Sequence, residues 1–160
     1  MDECSVNEKK VAPANNQFRG SARVVSQTQP IRVLIANAKG GCGKTTMATN
    51  IASYFATQGE GTAIVDYDPQ GSSIDWLSAR DPHLAQITGI AAFKNQNPNA
   101  TRSYSLRVPA TTSRIVLDTP AGLGGHILSD MIHSTDLIVI PVIPSAIDIR
   151  AATGFIRDVL

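Results

Sequence analysis

Two hydrophobic periods organise the chain. Ile31, Val33, Leu34, Ile35 and Ala36 form a short, branched, almost wholly apolar run, the pattern of a parallel strand covered on both faces. After Lys44 the apolar residues Met47, Ala48, Ile51, Ala52 and Phe55 recur at helical spacing until Gly59 and Gly61 stop them. A glycine-rich turn lies between, so the unit reads strand, glycine loop, helix. The same reading predicts strands over residues 62–66, 87–93, 115–118 and 136–142, with an edge strand over 103–108. Helices are predicted over 72–79, around 127–132, and from Ile147 to the last residue, while 94–102 has the Asn and Pro content of a loop. This alternation implies right-handed crossovers and an α/β fold, a doubly wound, mostly parallel sheet between two helical layers.

Residues 1–30 have few large apolar side chains and many Asn, Gln, Ser and Ala, which predicts a flexible tail before a single domain over 31–160. The last helical stripe runs to Leu160 without a capping glycine, so the domain is expected to be incomplete on its C-terminal side. Composition then narrows the function classes. With 14 basic and 13 acidic side chains the net charge is +1, so bulk charge points to neither nucleic acid nor membrane. Two cysteines, Cys4 and Cys42, cannot form a disulfide framework, which predicts a reducing compartment. No apolar run reaches the length of a membrane span, and the N-terminus lacks the apolar core of a signal peptide.

The chemistry sits in the first loop. Lys39, Gly40, Gly41, Cys42, Gly43, Lys44 and Thr45 join an apolar strand to a helix, where peptide N–H groups and the helix N-terminus surround phosphate oxygens. Lys44 is placed to reach β- and γ-phosphates, and the Thr45 hydroxyl to bind Mg²⁺. Ala38 stands where the ordinary phosphate-loop pattern has its first glycine, and Lys39 adds a second lysine. Cys42, at a variable position, reads as a small filler. Asp66 and Asp68 follow the second strand at the edge where an open parallel sheet meets its ligand, and either suits the site. Asp118 ends an apolar strand as a Walker B acid does, which fits it to hold Mg²⁺ through a water. His83, His126 and His133 lack metal-ligand spacing, and Arg102, Arg107 and Arg114 read as a solvated face. Trp76 fits either core or an interface.

Three segments, Lys39 to Thr46 (KGGCGKTT), Val65 to Ser72 (VDYDPQGS) and Ile115 to Gly122 (IVLDTPAG), make the chain resemble the deviant Walker A ATPases of the ParA/MinD family. The resemblance covers residues 31–160 and implies a P-loop NTPase fold that binds ATP and Mg²⁺. It implies that Lys39 crosses an ATP-dependent homodimer to the partner's nucleotide, that Asp68 positions the attacking water, and that Asp66 supports the Mg²⁺ shell with Thr45 and Asp118. Lys39, Lys44 and Asp68 would then be catalytic, with Gly40, Gly41, Cys42, Gly43, Thr45, Thr46 and Gly122 lining the nucleotide and residues 119–122 forming a γ-phosphate switch.

The resemblance points to a cytoplasmic positioning or partition ATPase. It would turn over weakly until a partner protein stimulates it, and its dimer would bind a surface such as nucleoid DNA. A MinD-like membrane cycle is the alternative within the family, but the final stripe sets Arg150 and Arg157 against Asp148 and Asp158 and has no basic anchor. The remaining alternatives are a P-loop metabolic synthetase and an inactive, truncated relative.

Overall fold

Five short apolar segments form one sheet in the computed structural model, which describes residues 29–94 and 107–160. They are β1 (Ile31–Ile35), β2 (Thr62–Asp66), β3 (Ile87–Ala91), β4 (Arg114–Asp118) and β5 (Leu137–Val139). Their order is β3-β2-β4-β1-β5, and all four pairings are parallel. The helices are α1 (Lys44–Thr57), α2 (Ser72–Ser78), α3 (Gly125–His133) and α4 (Ala146–Val159). This is the expected doubly wound α/β architecture.

Alternation along each strand sends side chains to opposite faces and so builds two cores. Val33, Ile35, Ile64 and Val116 pack with Ala48 and Ala52 of α1 on one side, joined by Trp76 and Leu77 of α2. Leu34, Val65, Ile115 and Leu117 pack with Leu128 and Met131 of α3 and Phe155 of α4 on the other. Trp76 therefore belongs to the core margin.

Three expectations are corrected. The strand expected over 87–93 ends at Ala91 and turns into a 3₁₀ segment at Ala92–Lys94. The strand expected over 136–142 pairs only over Leu137–Val139, because its ladder with β1 ends at Ile35, and Pro141 has no N–H to extend it. Arg114 is only partly solvated: its side chain is half-buried, and its guanidinium pairs with Glu60 at 2.8 Å and lies 5.7 Å from the Phe55 ring centre. The expected tail lies outside the described residues up to position 28. So do residues 103–106 of the expected edge strand, and Arg107 and Val108 belong to no strand.

One glycine is required by close approach. The Gly61 carbonyl accepts the N–H groups of Ser113 and Arg114, which draws the entrances of β2 and β4 together. A Cβ at Gly61 would stand 2.0 Å from the Thr111 carbonyl oxygen, a backbone atom that cannot swing aside. Gly154, in α4, faces open space. Denaturant unfolding should therefore show Gly61→Ala destabilised by about 1–3 kcal/mol and Gly154→Ala stabilised by about 0.5–1 kcal/mol.

Candidate functional site

Parallel register brings the strand ends into one row. Ile35 pairs with Asp118 and Val139, and Asp118 with Asp66, so the segments after β1, β2, β4 and β5 leave the same edge of the sheet. Asp118 lies two residues beyond Val116 and so shares its face, the one covered by α1. Both Asp118 and Asp66 are wholly buried.

Their surroundings differ. Asp66 accepts the Ser73 hydroxyl at 2.7 Å and the Ser73 N–H at 3.2 Å on one oxygen, with a longer contact from the Ile74 N–H at 3.4 Å. Its other oxygen accepts the Asp68 N–H at 2.9 Å. Asp66 thereby caps α2 and fixes the turn that carries Asp68, whose own carboxylate accepts the Gln70 N–H at 3.0 Å. Neither oxygen of Asp118 has a hydrogen bond of normal geometry. Burial pushes the Asp118 carboxyl from 3.8 up to about 6. The nearby Thr45 hydroxyl offsets part of that rise, Asp66 and Asp68 add to it, and Lys44 lowers it. A buried carboxylate aimed at a threonine hydroxyl, with both oxygens open, is a donor set suited to a hard divalent cation.

The loop above it is shaped by glycine. Gly41 and Gly43 have φ of 71° and 91°, conformations that cost other residues energy. α1 starts after Gly43 with no side-chain cap, leaving its first-turn amides without a side-chain partner. Lys39 is the hub. Its N–H donates to the Asn37 side-chain oxygen at 3.1 Å, and its carbonyl accepts the Lys44 ammonium at 2.9 Å and the Cys42 thiol at 3.3 Å. The Lys39 ammonium pairs with the Asp148 carboxylate. Gly122 donates its N–H to the Ala38 carbonyl at 2.9 Å, so the segment after β4 is tied to the start of the loop. Thr119 anchors that segment, its hydroxyl donating to the Ile35 carbonyl at 2.8 Å. Gly40, Gly41 and Thr46 are exposed at the loop's rim, and Cys42 is buried beneath it.

The structure thus gathers the loop lysines, Thr45, Asp66, Asp68, Asp118 and Gly122 at one sheet edge. Sequence reasoning missed Asn37 and Asp148. Asn37 is buried and donates to the Pro141 carbonyl at 2.8 Å, joining the loop to the segment after β5. Asp148 had a local signal, since Ser145 and Asp148 form the S-x-x-D start of a helix, but nothing in that spacing pointed to Lys39.

Comparison with known proteins identifies the family. Residues 33–160 match the family described as the CobQ/CobB/MinD/ParA nucleotide binding domain. The maintenance of carboxysome distribution protein A of Gloeobacter kilaueensis is 35% identical over 124 residues, which are 78% of this chain and 54% of that protein. Its namesake in Halothiobacillus neapolitanus is 30% identical over 133 residues, 83% of this chain and 60% of that protein. The chromosome-partitioning ATPase Soj of Thermus thermophilus is 49% identical over 49 residues, 31% of this chain and 20% of that protein. The chain therefore spans little more than half the length of the first two relatives. Among solved structures, cobyrinic acid a,c-diamide synthase from Mycobacterium smegmatis, with bound ADP and magnesium, shares the fold at a TM-score of 0.60. That likeness covers 82% of this chain and 67% of that one at 20% identity.

The raised Asp118 value has a sign that can be tested. The folded chain binds a proton between about pH 4 and 6 that the unfolded chain does not, so this group favours folding at low pH and opposes it as pH rises through about 6. Asp118→Asn, which cannot ionise, should exceed the parent in unfolding free energy by about 1–3 kcal/mol at about pH 7.5. Near pH 4 the difference should vanish. An equal difference at both pH values would contradict the assignment.

Proposed function

The chain belongs to the CobQ/CobB/MinD/ParA family of nucleotide-binding domains, and from that premise we propose that it is a Mg²⁺-dependent ATPase. It pairs with a second copy on ATP and serves positioning or partition of a DNA or protein cargo in the cytoplasm. The observation that supports this most directly is the open, buried carboxylate of Asp118 facing Thr45 beneath a glycine loop with two lysines. A site without a phosphate-bound cation to hold has no use for that uncompensated charge.

The chain's own groups divide the work. Uncapped amides of α1 bind phosphate oxygens, and Lys44 exchanges the Lys39 carbonyl for the β- and γ-phosphates. Thr45, and Asp118 through a water, would hold Mg²⁺, which when bound would supply charge that polarises the γ-phosphoryl group. Asp66, its oxygens engaged by the start of α2 and by Asp68, serves the metal only by holding the turn in place. Asp68, half-buried in the turn after β2, orients the attacking water, which is most of what hydrolysis asks of a protein group. Gly122 exchanges the Ala38 carbonyl for the γ-phosphate and so reports its presence. Lys39 leaves its own subunit to neutralise the partner's phosphates.

Positioning is favoured over small-molecule synthesis by the identity to the carboxysome-distribution and partitioning proteins and by Lys39, which a metabolic synthetase does not need. Among the described residues no helix is long and apolar enough to cross a membrane. The stimulating partner is a protein, and DNA is the surface on which the ATP-bound dimer rests.

Calorimetry and sizing with ATP and Mg²⁺ test the reading. Lys44→Ala should weaken ATP binding about 10- to 100-fold, the worth of a charged hydrogen bond. Lys39→Ala should still bind ATP and stay monomeric where the parent dimerises. Turnover that rises with a small carboxylate metabolite and ignores DNA and partner protein would overturn the positioning reading.

A further inference from the structure

Lys39 is held by its own subunit through Asp148, an acid in the first turn of α4 to which the phosphate chemistry assigns no part. We propose that Asp148 is a positioning residue that retains the Lys39 ammonium in cis, and that its release of this ammonium is a step in nucleotide-dependent pairing. The proposal rests on the reading of Lys39 as a group that acts across the dimer.

The contact is built rather than incidental. Asp148 sits in the first turn of α4, where the helix N-terminus favours a negative charge. The Ser145 side-chain oxygen accepts the Asp148 N–H at 3.1 Å, and its hydroxyl donates to one carboxylate oxygen of Asp148. The other oxygen meets Lys39. Lys39 and Ser145 together hold the Asp148 carboxyl below the usual carboxylate range. The side chain of Asp148 is 9% exposed and that of Lys39 is 38% exposed, so the acid is fixed in the fold while the ammonium has water on one side.

The backbone makes release local. The Lys39 N–H is held by Asn37 and its carbonyl by the Cys42 thiol, contacts that remain when Lys44 turns to phosphate, so the ammonium can leave by rotation about its side-chain bonds while the loop stays in place. On the in-trans reading, the ammonium that crosses to the partner's phosphate moves off Asp148, which stays anchored in α4. Pairing therefore costs the Lys39–Asp148 contact, and Asp148 sets how much protein is needed before the dimer forms. Asn37 links Lys39 to Pro141, just ahead of α4, which keeps acid and ammonium in reach of one another.

Two readouts on the full chain test this. Without nucleotide, labelling of Lys39 by an amine-reactive reagent, measured by mass spectrometry against exposed Lys94, should quicken about two- to tenfold in Asp148→Asn. With saturating ATP and Mg²⁺, the concentration for half-dimerisation should fall by a similar factor. Should Asp148→Asn not fold, the unaltered chain decides: raising salt should quicken Lys39 labelling relative to Lys94. Lys39 that labels alike in both chains, or is indifferent to salt, overturns the proposal, as does faster labelling with an unchanged dimer threshold. If Lys39→Ala dimerises like the parent, the in-trans reading itself falls and takes the proposal with it. Failure of Asp148→Asn alone leaves that reading standing.

Discussion

A buried carboxylate with both oxygens unpaired, at the carboxyl edge of a hydrophobic sheet, is the constraint that the rest of the molecule accommodates. Asp118 is placed there by the ladder with β1 and β2. Its charge is disfavoured by burial and by Asp66 alongside. Two packed faces around the sheet supply the stability that tolerates it. Asp66 stands in the same row, on the same face and as deeply buried, yet four donors reach it. One acid is thereby absorbed into the fold, and the other keeps both oxygens free of hydrogen bonds.

The cationic side of the site follows a different rule. Lys44, Lys39 and the Gly122 amide all have partners, and all of those partners belong to the chain. In the proposed reading, phosphate binding is an exchange of acceptors by donors that are already in place. Each exchange is modest in net energy, because a bond is lost for every bond gained. Gly122 couples the loop to the segment after β4, and Asn37 couples it to the segment after β5. A change at the loop therefore bears on both segments, the coupling that the proposed nucleotide switch would use.

Much of this was legible in the sequence. The strand, glycine loop and helix from Ile31 to Thr57 were read nearly to the residue, as were β2 and α2, because those elements are specified by periodicity and punctuation within a dozen positions. β3 and β5 were read too long, since a strand ends where its neighbour's ladder ends, and that neighbour is distant in sequence. Arg114 is less solvated than expected for the same reason, as Glu60 and Phe55 come to it from another segment.

At the site, residue types and loop spacing already pointed to a glycine loop at a helix N-terminus with three acids beside it, because glycine conformations and a helix N-terminus are local properties. Which acid is satisfied and which is open, and where the Lys39 ammonium rests, were decided by the tertiary structure alone. Register across β1, β2 and β4 determines which donors reach a given carboxylate, and the crossover to α4 carries Asp148 to Lys39. Hydrogen bonds and ion pairs depend on separations of a few ångströms, and between segments far apart in the chain only the folded sheet sets them.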